Sequence, residues 1–152
     1  MEQENEHAPT LPDMSDIIRK GFLKHNALAL VNATLDVCEQ GRIVISCPIT
    51  ESISNQHGTV HAGIQCLLAD TACGYAALSC ADEGMDVVAV EFKINFLAPA
   101  HGISLKAIAN IVRPGSRLSV CRANIVVIDE ASVETPVALM QSTLMLVRTR
   151  ES

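Results

Sequence analysis

Residues 61–82, HAGIQCLLADTACGYAALSCAD, constrain the fold more than any other part of the chain. The stretch holds no proline, is rich in Ala, Leu and Cys, and is apolar around almost its whole circumference until Asp82. A helix apolar on every face is a buried helix, so the other elements must enclose it. After a Glu83-Gly84 turn the chain offers only strands, at 87–98, 103–112, 117–129 and 137–150. Pro99-Ala100-His101-Gly102, Arg113-Pro114-Gly115-Ser116 and a segment at 130–136 mark the turns between them. Upstream, 16–26 reads as an amphipathic helix through Ile17, Ile18, Phe22 and Leu23, with Ser15 or Asp16 as cap. Residues 28–37 and 42–49 read as a hairpin turning at Glu39-Gln40-Gly41, and 50–59 as a long polar loop. The order is helix, two strands, one long helix, four strands. That order predicts an α+β fold, an antiparallel sheet curled around one long central helix. It excludes a doubly wound fold, which needs strand–helix alternation after residue 84.

Of the 152 residues, 49% are hydrophobic, enough for the core of one domain over 15–150. Aromatic content is only 3%, so any ligand pocket is lined by aliphatic side chains and suits an aliphatic group better than a stacked base. Glu2, Glu4, Glu6, Asp13 and Asp16 crowd the start with no Lys or Arg, which leaves 12 acidic against 11 basic residues downstream. Residues 1–14 are therefore expected to be a disordered acidic tail without the marks of a signal peptide. Neither part has the basic stripe a nucleic-acid partner needs. The most apolar stretch, 72–81, is about half the length that spans a bilayer, so no membrane is expected. Six cysteines without a CxxC pair or a secretory signal predict reduced thiols in a cytoplasm. Cys66, Cys73 and Cys80 share a helix face but lie about 10 Å apart along the axis. One metal ion cannot bridge them, and small buried residues that let helix and sheet approach account for them.

Asp70 is the only charged residue between His61 and Ala81. Burying an unpaired carboxylate is costly, so two readings stand: a structural aspartate bonded to backbone or a nearby hydroxyl, or a carboxylate facing a cleft as general base or nucleophile. Just before the helix, Asn55, His57, Thr59 and His61 supply polar groups where a helix exposes unpaired N–H groups and favours negative charge. If Ala62 and Gly63 open the helix, their amides could receive the oxyanion formed when a thioester carbonyl is attacked. Ordinary capping explains the same polar residues equally well. Ala62 and Asp70 are eight residues apart, about 12 Å of helix, so one chain's helix start and its own Asp70 cannot touch one carbonyl. If both act, the second comes from another chain.

The run Asn55-x-x-Gly58-Thr59-Val60-His61-Ala62-Gly63-x-x-x-x-Leu68-Ala69-Asp70, followed by VAVEFKINFLAPA at 88–100, resembles the phenylacetate-pathway (PaaI-like) type of hotdog thioesterase over about residues 20–148. The resemblance implies a hotdog fold and acyl-CoA thioester hydrolysis without metal or bound cofactor, coenzyme A being part of the substrate. It implies Asp70 as catalytic carboxylate, Asn55 as the residue that helps place it and the Ala62 amide as oxyanion donor beside His61, drawn from two subunits of a homodimer or dimer of dimers. It also implies that the turn carrying Leu97, Pro99 and His101 cradles coenzyme A, as does the segment carrying Arg113, Ser116 and Arg117. There the arginines could meet phosphates; by themselves they read as solvated turn residues.

The chain departs from the family twice. Ala62 replaces the first glycine of His-Gly-Gly, which keeps the N–H but sets a methyl group near the carbonyl. Ala89 stands where some members carry Ser or Thr. The first departure motivates an alternative, a non-catalytic acyl-CoA-binding or regulatory hotdog protein. A hydratase or dehydratase would place His and Asp or Glu at other motif positions, and that pattern is absent.

Overall fold

The computed structural model describes residues 14–149. The expected tail at 1–13 lies outside them, but Met14, assigned to that tail from sequence, opens α1 (Met14–Leu23) and is buried. A second helix, α2 (Asn26–Leu30), follows. It corrects the strand expected from residue 28: His25 caps α2, its Nδ1 accepting from the Leu28 amide at 3.4 Å, and Leu28 is buried. Strand β1 (Thr34–Glu39) starts only after Asn32, which adopts the left-handed region at φ 53°. It pairs with β2 (Arg42–Pro48) across a two-residue Gln40-Gly41 turn, Glu39 facing Arg42.

The long helix α3 (Ala62–Leu78) ends earlier than its apolar pattern, and only one side of it is fully covered: Leu68, Ala69, Ala72, Cys73, Ala76 and Ala77 are buried. It packs on β2 and on the four strands that follow it, β3 (Met85–Phe96), β4 (Ser104–Arg113), β5 (Leu118–Ile128) and β6 (Glu134–Arg148). Small residues allow the close approach: Cys73 of α3 and Cys121 of β5 are both fully buried, and a hydrogen bond between the thiols, with burial, holds that of Cys73 above its ordinary pKa. None of the six cysteines is in a disulfide.

The strands form one antiparallel sheet around α3, as expected from sequence, and the structure gives their order as β1-β2-β4-β5-β6-β3. The last turn is shorter than the expected 130–136. Asp129 Oδ1 accepts from the amides of Ala131 and Val133, at 2.9 Å each, so β6 is free to start at Glu134. Pro136, which cannot donate to a ladder, lies opposite Val126 where the register shifts. Strand β3 forms one edge of the sheet. Twelve residues long, it leaves Val88, Val90, Phe92 and Phe96 exposed.

Candidate active site

His61 is the N-cap of α3. Its Nδ1 accepts from the Gly63 amide at 2.9 Å, while its carbonyl accepts from the amides of Ile64 and Gln65. The Gly63 amide is thus occupied, and of the two amides expected to open the helix only that of Ala62 stays outside these capping bonds. The loop before it is tied by Asn55, whose Oδ1 accepts from the amides of His57 (2.9 Å) and Thr59 (3.2 Å). Asn55 Nδ2 donates to Thr59 Oγ1 at 2.7 Å, which leaves one N–H of the amide uncommitted. The turn closes through Gly58 at φ 75°, a conformation that favours glycine.

Asn55, Ala62 and Gln65 open onto a cleft of about 540 Å³ whose other wall is Phe96, Leu97 and Pro99. Gln65 is only 4% exposed; its Nε2 donates to Val60 O at 3.4 Å and its Oε1 is buried with no partner. Such an unmet acceptor costs about 1–3 kcal/mol.

Asp70 lies two turns further along α3 and opens onto a different recess, of about 180 Å³. Thr71, Gly74 and Tyr75 of the same helix line it, facing Val87 and Ala89 of β3. His25 and Asp86 add polar groups to the same recess. The recess and the cleft share no lining residue. Asp70 is partly buried, its Oδ1 is buried and accepts no hydrogen bond, and burial raises its pKa above the ordinary carboxylate value. The structural reading of Asp70 would require the bonds that this oxygen lacks. Burial, then the nearby Asp70, raises Cys66, and burial, then Asp86, raises Tyr75.

Arg113, Ser116 and Arg117 gather in a third depression, of about 600 Å³, at the β4–β5 turn. Gly115 is required there, because a Cβ would lie 2.0 Å from the Leu118 carbonyl oxygen. His101 is exposed and lines none of the three sites.

The thioesterase superfamily model matches residues 57–134, which run from the Asn55 loop through α3 to the start of β6. The chain belongs to the thioesterase superfamily. A thioesterase family protein from Silicibacter pomeroyi is 36% identical, with 87% of this chain and 96% of that one superposing at a TM-score of 0.84. The PaaI protein of the phenylacetic acid degradation operon of E. coli shares the fold at 23% identity and a TM-score of 0.77, over 94% of this chain and 99% of that one. A Saccharolobus solfataricus protein that carries the name of an esterase is 37% identical over 82 residues, 54% of this chain. The match spans 58% of that relative's length.

Within this thioesterase-superfamily chain the sites expected from sequence fall into three groups. The fold brings Asn55, Ala62, Leu97 and Pro99 to the cleft, Asp70 and Ala89 to the recess, and the two arginines with Ser116 to the far turn. Sequence reasoning passed over Gln65 and the recess residues Thr71, Gly74 and Tyr75. Gln65 and Thr71 were legible as the polar breaks in an apolar helix, besides Asp70. Gly74 and Tyr75 carried no such signal.

Proposed function

We propose that this protein is an acyl-CoA thioesterase acting as a homodimer or dimer of dimers, each site built from two chains. The observation that carries the reading is the separation of the two pockets: Ala62 lines one and Asp70 the other, and they share no lining residue. The exposed edge strand supplies the remedy. An unpaired edge of this length invites a second copy, and two β3 strands pairing antiparallel about their middle would set Phe96 of one chain opposite Met85, beside Asp86, and Phe92 opposite Ala89 of the other. That pairing joins the helix-start cleft of one subunit to the Asp70 recess of its partner.

In the joined site the Ala62 amide receives the carbonyl oxygen, and Asp70, whose carboxylate is kept basic by burial, acts as general base or nucleophile. The arginines at the β4–β5 turn are the proposed phosphate contacts of coenzyme A. An apolar cavity of about 150 Å³ takes a benzene ring, so the 180 Å³ recess suits a short acyl or an aryl group. The proposed location is cytoplasmic; no described helix is long and apolar enough to cross a membrane.

The test is thiol release from a panel running from acetyl- to palmitoyl-CoA plus phenylacetyl-CoA, with Asp70→Asn beside the wild type. Release by the wild type and its loss in the variant are expected. Binding of acyl-CoA without thiol release by the wild type would favour the regulatory reading that Ala62 motivates.

A further inference from the structure

A row of side chains on the outer face of the sheet takes no part in this chemistry. Arg42 of β2 faces Asn110 of β4, Asn110 faces Arg122 of β5, Arg122 faces Gln141 of β6, and Gln141 faces Lys93 of β3. All five are exposed, whereas Ile43, Ala109, Cys121, Ala123 and Met140 beside them in the strands are buried. Alternation therefore points the row away from α3. Cross-strand neighbours of opposite charge stabilise a sheet face, yet in a chain of net charge -6 this row carries three cations and no acid. Among the described residues none of the three has an ion pair, the single pair being Lys106 with Glu134. The acids nearby are engaged elsewhere: Asp36 accepts from Thr34 and Ser46, and Glu91, two residues before Lys93, accepts from Thr143.

Lys93 and Arg122 also line one depression of about 460 Å³, together with Gln141, Asn95 and Leu139. It shares no lining residue with the cleft, the recess or the β4–β5 turn. We propose that this depression is a binding site for a diphosphate group, carried by a nucleotide or a coenzyme. Two strand spacings, about 10 Å, separate the backbones under Arg122 and Lys93. A carboxylate has one charge on a single carbon, so it meets one cation at a time. A diphosphate spreads several charges over oxygens on two phosphorus atoms, so the guanidinium fork holds one phosphate while the ammonium meets the other. The Gln141 and Asn95 carboxamides add N–H donors. The site lies apart from the proposed hydrolytic site and does not depend on that reading.

The test is isothermal titration of the whole chain with inorganic pyrophosphate at about 0.15 M salt, where exposed charges more than about 8 Å apart are largely screened. Saturable binding by the wild type is expected, weakened about tenfold or more in Lys93→Gln and in Arg122→Gln, the latter two strands in from the edge. Arg42 lies outside the depression, so Arg42→Gln should bind within about twofold of the wild type. None of these three exposed side chains holds an ion pair, so all three variants should unfold at the wild-type Tm. ADP and coenzyme A, titrated in parallel, identify the carrier: tighter binding than pyrophosphate through Arg122 names it, and equal binding assigns recognition to the diphosphate alone. The site is overturned by an absence of pyrophosphate binding, by sulfate binding as tightly as pyrophosphate, or by equal weakening in Arg42→Gln, which marks a diffuse positive surface. Binding lost in Arg117→Gln but kept in Arg122→Gln overturns it too, by moving the diphosphate to the β4–β5 turn.

Discussion

Exchanging Asp70 for alanine should make the protein more stable and less active at once, because the carboxylate holds no bond that would repay its burial. Its Oδ1 is buried without a partner, a defect of about 1–3 kcal/mol, and alanine is the better helix-interior residue by up to about 0.7 kcal/mol. Against a modest loss of packing, a net gain of about 1–2 kcal/mol is expected, or about 2–8 °C in Tm for a domain of this size. The gain depends on pH. Burial raises the folded-state pKa of Asp70, so protonation favours the folded state. The stability this contributes is full below the pKa of an unfolded aspartate and is lost as pH rises through the higher folded value. The advantage of Asp70→Ala, and of the isosteric Asp70→Asn, should therefore be small near pH 4 and grow towards pH 7–8. Activity should fall by about 10²–10⁴, and the acid limb of the wild-type kcat/KM profile should lie above the ordinary carboxylate range. Thermal unfolding at several pH values and fixed protomer concentration, beside thiol release, reads both quantities. A lower Tm in both variants would show that Asp70 is structural, and full thiol release by either would refute its role in the chemistry.

Gly74 lines the recess, and a Cβ there would meet Val87 Cγ2 at an ordinary 3.8 Å. Gly74→Ala should thus fold with up to about 1 kcal/mol more stability and shift the acyl-CoA preference to smaller groups, as the substrate panel would report. Val90→Lys on the exposed edge should leave the subunit folded, move sedimentation towards the monomer and lower thiol release about tenfold or more, because the proposed site draws on two chains. Ala62→Gly, which removes the methyl group beside the proposed oxyanion donor, should raise kcat/KM several-fold for bulky acyl groups and cost up to about 1 kcal/mol on thermal unfolding.

Much of the architecture was legible because it rests on local pattern. The central helix, the hairpin and the four later strands each announce themselves through apolar period and turn residues, and the structure moves their ends by only a few positions. The larger miss was α2. Its apolar NALAL run suits a strand or a helix equally, and the His25 cap with the buried Leu28 decided for the helix. Asp129 likewise shortened a turn through side-chain bonds that composition does not reveal.

The sequence alone determined that Asp70 and the helix start stand about 12 Å apart, since helical rise depends only on residue count. It also determined which residues carry unusual chemistry: a lone carboxylate in an apolar helix stands out whatever surrounds it. The tertiary structure decided which groups are free to act. The Gly63 and Asn55 groups proved to be engaged in capping the helix and its loop, and the unmet buried acceptors proved to be those of Gln65 and Asp70. Hydrogen-bond occupancy is set by neighbours brought together in space, and no spacing along the chain encodes it.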